Sequence, residues 1–158
     1  MLSINKITTL CYIINDRSEV LLTMKKKGFG VGKWNGAGGK VQAGETPLAA
    51  AVRETREEVG LEIETPMALG FLEFIWPDEQ QEWNQRCYIY LAKKYAGCLC
   101  ESDECRPQWF PCSQLPYEQM WDDDKHWYPR MLSGQKVKIR FYFDQNGQVR
   151  KMEEINNS

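Results

Sequence analysis

At 158 residues the chain is long enough for one domain with a proper core, and we read residues 1–158 as a single domain. A formal charge of −2 leaves no basic footprint for a nucleic-acid polymer, so the expected partner is a small anion delivered with its own metal. No apolar run approaches membrane-spanning length and nothing at the N-terminus resembles a secretory signal, which predicts a cytoplasmic protein whose six cysteines are reduced thiols.

In chain order, residues 8–14 and 20–24 read as strands around the turn Asn15-Asp16-Arg17-Ser18, a hairpin. Residues 27–40 read as a long glycine-rich loop, and Gly36, Gly38, Gly39 and Gly44 let its backbone approach a ligand closely. Thr46 followed by Pro47 is a good helix start and Gly60 a natural stop, predicting a helix over 46–59. Leu48, Ala51, Val52, Thr55 and Val59 form its inward face, with Glu54, Glu57 and Glu58 off it. Further strands are predicted at 67–76, 86–93, 109–111 and 137–143. A second helix over 122–132, with Pro129 placed to bend it, ends by Gly134. Residues 153–158 read as a polar tail. Cys98, Cys100, Cys105 and Cys112 contain no C-x-x-C pair, so a zinc site is disfavoured, and His126 is the only histidine available for nucleophilic schemes.

The most informative residues are Glu54, Glu57 and Glu58. On a helix they stand at i, i+3 and i+4, so three carboxylates leave one face and repel each other. A hard divalent cation resolves that repulsion, because magnesium takes oxygen ligands from a few carboxylates and from substrate phosphates. By itself E-x-x-E-E is better read as a solvated acidic face, with Arg53 and Arg56 as ordinary partners. The surrounding residues decide between the two.

The stretch from Gly39 to Leu61 resembles the Nudix box, G-x5-E-x7-R-E-U-x-E-E-x-G-U, where U is a bulky aliphatic residue. Gly39, Glu45, Arg53, Glu54, Glu57, Glu58 and Gly60 match every fixed position, and Leu61 matches the last U. Thr55 departs from the first U, although its methyl can still pack and its hydroxyl can bond the preceding turn. The resemblance implies an α+β fold, an α/β/α sandwich around a mixed sheet. It also implies a hydrolase holding magnesium (Mg2+), with manganese (Mn2+) as the alternative ion, through Gly39, Glu54, Glu57 and Glu58. Arg53, one residue from Glu54 and so off its face, would orient a box glutamate, Glu45 first. Glu45 also suits helix capping alone. Glu101, Asp103 and Glu104 are candidates for the base or metal ligand that the family adds from outside the box, and the alignment E-S-D-E-x-R-P-x-W-F selects Glu104.

That alignment belongs to the animal oxidised-purine nucleoside triphosphatases, and the resemblance continues through M-K-K-R-G-F-G-x-G-x-W-N-G-x-G-G-K-V-Q at residues 24–42 and I-P-F-x-x-M-W-P-D-D…W-F-P at residues 115–129. It implies a base pocket. Phe29, Trp121 and Trp127 would offer stacking faces, Asn35 a donor and an acceptor, and Asp123 and Asp124 a carboxyl pair sharing one proton. It adds Thr9 and Lys25 to the substrate-binding set. Taken alone, the tryptophans suit core packing and the aspartates suit capping of the second helix. Two departures bear on the substrate: Asp122 stands where the family has proline, and residues 75–86 align poorly, with Gln85 where a methionine lines the pocket and Trp76 and Trp83 without counterparts. The implied function is Mg2+-dependent hydrolysis of 8-oxo-dGTP and 2-hydroxy-dATP to monophosphate and pyrophosphate by a monomer, a sanitation of the nucleotide pool. The alternatives are hydrolysis of another nucleoside diphosphate derivative (a methylated purine triphosphate, a nucleotide sugar, a dinucleotide) or a non-catalytic ligand sensor.

Overall fold

In the computed structural model, which describes residues 3–156, side-chain alternation along two parallel strands creates a core on each face of one sheet. Strand β1 (Lys6–Ile13) runs in register with β7 (Gln85–Ala92), from Lys6↔Gln85 to Ile13↔Ala92. Tyr12, Cys87, Ile89 and Leu91 face one core, whereas Cys11, Ile13, Tyr90 and Ala92 face the other. The sheet also contains β4 (Ala37–Lys40), β6 (Met67–Ile75), β10 (Val137–Phe143) and β11 (Val149–Glu154), in the order β11-β10-β6-β7-β1-β4. Both parallel and antiparallel pairs occur, so it is mixed. Helix α1 (Pro47–Val59) contributes Ala51 and Val59 to the second core. Helix α2 (Asp124–Leu132) contributes Trp127, Tyr128 and Met131 to the first. The α+β sandwich expected from the family resemblance is the architecture found.

Two smaller sheets flank this one, β3 (Trp34–Asn35) with β2 (Glu19–Lys25) and β9 (Cys105–Pro111), and β5 (Leu61–Glu64) with β8 (Lys94–Gly97). The hairpin expectation holds only at its turn. Ile14 bridges Val20 and Asn15 N–H donates to Glu19 O at 2.9 Å, but β2 then leaves β1 because it pairs along its length with β9. The predicted 27–40 loop contains β3 and β4, whose short runs and glycines hid them. Strand β9 starts at Cys105 rather than 109, since Pro107, a breaker in sequence terms, is tolerated at a sheet edge. Glu153 and Glu154 belong to β11 and not to a tail: Glu153 accepts from Arg140 Nη1 at 3.1 Å and from the Tyr142 hydroxyl at 2.8 Å. Residues 157–158 of the expected tail lie outside the described residues.

Around α1 the capping expectations are met. Thr46 Oγ1 accepts the Ala49 N–H at 3.1 Å, and Gly60 closes the helix at φ 79°. Thr55 is buried and its hydroxyl donates to Ala51 O at 2.7 Å, so the departure from the family pattern costs no packing partner. The inward face differs from the one predicted. Leu48 is 45% exposed, while Ala50 and Glu58 are buried, because strand β4 lies against the side that carries Glu58.

Candidate active site

Arg53 organises the acidic face of α1. Its Nε and Nη2 grip the two oxygens of Glu45 at 2.7 and 3.0 Å, a bidentate pair, and Nη2 also donates to Lys40 O at 3.2 Å. Spacing alone puts Arg53 off the Glu54 face. Its guanidinium nevertheless curls back, with Nη1 donating to Glu54 Oε1 at 2.9 Å and Glu57 Oε2 at 3.2 Å, because the long stem reaches around the turn. Hydrogen bonds from Arg53 and then from the Gln42 N–H lower the Glu45 carboxyl to about 2, so it is ionised at every working pH.

Glu58 is the buried member. Its Oε1 accepts the Gly38 N–H at 2.8 Å and its Oε2 receives the Cys105 thiol at 3.5 Å. Burial pushes it from an ordinary 4.5 up to about 7, with the charges of Glu54 and Glu104 adding to the rise against the Gly38 bond. Glu54 is raised first by burial, opposed by Arg53, and then by Glu57 and Glu104. Glu104, exposed on the approach to β9, therefore faces the same cluster, while Glu101 pairs with Lys26 and Asp103 is exposed.

These residues fit a cation completed by water and phosphate. Among the described residues no three His, Cys, Asp or Glu side chains already form a cage for an ion. Neighbouring carboxylates add to the rise of Glu54 and Glu58, an effect that a cation between them would relieve. Gly39 lies so close to Glu54 that a Cβ on it would stand 2.7 Å from the carboxylate, so only bare backbone can share this space.

A pH effect follows for the metal-free protein. A carboxyl at about 7 in the fold and 4.5 when unfolded stabilises fully below the lower value, and that stability is lost as pH rises through 7. The loss is at most about 3 kcal/mol. The melting temperature of metal-free protein is expected to fall between pH 5 and 7.5, and Glu58→Gln to flatten the fall; an unchanged slope in that variant would remove Glu58 as its source.

A cleft of about 440 Å³ runs from Gly38, Gly39 and Glu58 to Asp123 and Asp124. Thr9, Lys25, Phe29, Asn35, Gln85 and Trp121 line it, so the structure brings these predicted residues together. Phe29 is 44% exposed with its ring centroid 5.1 Å from Trp121 and 4.9 Å from Trp83. Trp127 is the exception. None of its surface is exposed, so it offers no stacking face; it packs on Tyr12 and Tyr128 and its indole N–H donates to Asp123 Oδ2 at 2.8 Å.

Asp123 and Asp124 are each 2% exposed. Burial raises both, and the charge of Asp123 drives Asp124 well above the carboxylate range, so a proton is retained on the pair. Asp124 Oδ2 and Thr9 Oγ1 are buried without a hydrogen-bond partner among the described residues. Asp123 stands at the N-cap of α2, but its side chain makes no capping bond. Asp122 does not line the cleft: its Oδ2 accepts the Val149 N–H at 2.8 Å and its Oδ1 pairs with Lys125 at 3.0 Å, tying β11 to the start of α2.

Sequence reasoning found no role for Trp83, Cys105, Tyr12 or Tyr128. Trp76 and Trp83 meet at 5.0 Å through a 3-10 turn at Asp78–Trp83, which carries no periodic signal. Tyr12 and Tyr128 sit at ordinary core positions of a strand and a helix.

Residues 5–131 match the NUDIX domain family. The chain is 46% identical over 143 residues to the oxidized purine nucleoside triphosphate hydrolase of Danio rerio, covering 90% of this chain and 88% of that protein. It is 40% identical over 144 residues to the protein of the same name from Mus musculus, covering 90% and 89%. A crystal structure of a MutT protein from Bacillus halodurans superimposes with a TM-score of 0.81 at 22% identity, covering 94% of this chain and 96% of that one, a likeness of fold.

Proposed function

Since the chain belongs to the Nudix hydrolase family, whose members use a divalent metal, we propose that it is a magnesium-dependent hydrolase of oxidised purine nucleoside triphosphates, acting as a cytoplasmic monomer to clear 8-oxo-dGTP and 2-hydroxy-dATP from the nucleotide pool. The observation that carries this reading is the continuity of one cleft from Glu58 and the Gly38-Gly39 backbone to the buried carboxyl pair Asp123–Asp124. Phosphoryl transfer needs positioned water, neutralised phosphate oxygens and little else from a protein. Glu54, Glu57, Glu58 and Glu104, beside the Gly39 backbone, would hold a divalent cation, which would supply that neutralisation and make a bound water a better nucleophile.

This chain's own residues do the rest. Arg53 holds Glu45, Glu54 and Glu57 in one array. Lys25 and Lys33 line the cleft and give its anionic ligand two positive charges. Trp121 and Phe29 are the walls for a flat base, worth about 1–3 kcal/mol per stacked contact. The acid of the Asp123–Asp124 pair donates while the carboxylate accepts, a match for the altered donor pattern of an oxidised purine.

The test is steady-state kcat/KM with Mg2+ for 8-oxo-dGTP, 2-hydroxy-dATP, dGTP and dATP, with products identified. A preference of about 30-fold or more for the oxidised purines, equivalent to about 2 kcal/mol, with pyrophosphate released, is the expected result. Comparable rates on all four would sink the substrate assignment and direct attention to other nucleoside diphosphate derivatives.

A further inference from the structure

Asn35 enters the cleft with half of its carboxamide already committed. Its Oδ1 accepts the Gly36 N–H at 2.8 Å and the Tyr12 hydroxyl at 3.0 Å. The Tyr128 hydroxyl stands 2.7 Å from that of Tyr12 and 3.3 Å from Asn35 Oδ1. A carbonyl oxygen has two lone pairs, so the two shorter contacts fill them and the Tyr128 proton goes to the nearer Tyr12 oxygen. The outcome is a relay in which Tyr128 donates to Tyr12 and Tyr12 to Asn35, each bond polarising the next. Both phenols are fully buried, and burial pushes each well above its ordinary range, so both remain O–H donors. The Tyr12 ring occupies the space a side chain at position 36 would need, 2.8 Å from a Cβ built on Gly36, so glycine there lets the ring in. Asn35 Nδ2 makes no hydrogen bond to any described residue, which leaves both of its N–H groups for a ligand.

We propose that Tyr12 and Tyr128 are positioning residues that fix Asn35 as a donor-only reader, so that the cleft prefers purines with a carbonyl at C6 over purines with an amino group there. The inference rests on the oxidised-purine reading above and deepens it. Along its Watson–Crick edge 8-oxoguanine presents the O6 acceptor, then the N1–H and 2-amino donors. A donor at Asn35 followed by the oxygens of the Asp123–Asp124 pair is the complementary order. 2-Hydroxyadenine presents a 6-amino donor instead, which meets the Asn35 N–H groups with no acceptor to offer.

The experiment compares kcat/KM for 8-oxo-dGTP and 2-hydroxy-dATP in the native enzyme, Tyr12→Phe, Tyr128→Phe and the double variant. The native enzyme is expected to favour 8-oxo-dGTP. Losing both hydroxyls frees the carboxamide to flip, so the double variant should lose about tenfold in kcat/KM for 8-oxo-dGTP through KM, with kcat unchanged. Its activity on 2-hydroxy-dATP should hold or rise, so the ratio narrows. An equal fall on both substrates, or no change on either, overturns the proposal. Turnover of neither substrate by the native enzyme would instead be a failure of the underlying functional reading. In that case the Asn35 side-chain amide resonances decide: rigid in the native protein and mobile in Tyr12→Phe supports the positioning role, and equal mobility in both sinks it.

Discussion

Glu57→Gln is expected to remove nearly all turnover, lowering kcat by about 10³-fold, while nucleotide binding stays within a few-fold of native. The reason lies in how lightly the protein itself uses this carboxylate. At 56% side-chain exposure Glu57 is more open than Glu54, and among the described residues its one side-chain hydrogen bond is the 3.2 Å bond from Arg53. Neutralising it leaves the fold's hydrogen bonds almost intact, so the melting temperature should barely move. What disappears is a negative charge at the mouth of the cluster, where a cation and its water must be held. The same variant separates enzyme from sensor. A protein that merely binds nucleotide has no need of the charge and would keep its ligand response, whereas retention of more than about a tenth of native kcat would argue that Glu57 stands outside the chemistry.

Arg53→Ala is expected to cost about 100-fold in kcat/KM and to lower stability as well. One guanidinium here satisfies Glu45 twice, Glu54, Glu57 and the Lys40 carbonyl. Its removal leaves three neighbouring carboxylates without a positive partner, so they splay apart. Arg53→Lys distinguishes charge from shape. A lysine restores one positive charge but cannot bridge Glu45 with two parallel bonds while reaching Glu54. Partial rescue of stability with little rescue of kcat/KM is the expected pattern. Full rescue of both by lysine would show that the fork geometry does not matter.

The two variants probe opposite kinds of legibility. Glu57 is readable because helix periodicity is a local rule: spacing i, i+3 and i+4 places three carboxylates together whatever the rest of the chain does, whereas Arg53 is readable only from the family resemblance. The two-bond geometry of the Arg53–Glu45 pair came from the structure, whereas the pairing itself followed from the family resemblance. That Arg53 also reaches Glu54 did not, since it depends on how a flexible stem folds back across the helix surface.

The base pocket was readable as a set of residues but not as a set of roles. Trp121 and Trp127 look alike in the sequence, six apart around the same aspartates. Only the packing of α2 against β1 decides that the first lines the cleft and the second is a fully buried prop for Asp123. Asp122 shows the same limit. Beside Asp123 and Asp124 it reads as a third member of the pair, and the approach of β11 turns it into a tie to Val149.

By itself, then, the sequence determined the capped helix from Pro47 to Val59 and the acidic cluster on its face, and its family resemblance supplied the α+β class and most of the residues that line the cleft, Trp127 excepted. Each of these rests on short-range spacing or on the match to a family pattern, which breaks at Thr55, at Asp122 and over residues 75–86. The tertiary structure alone decided the sheet order, the division of β1 and β2 between two sheets, the burial that lifts Glu58 and Asp124, and the Tyr128–Tyr12–Asn35 relay. Those depend on which groups 20 to 116 positions apart are pressed together and stripped of water, as with Gly38 on Glu58 and Tyr12 on Tyr128. No local pattern encodes that desolvation, because it is a property of the neighbours rather than of the residue.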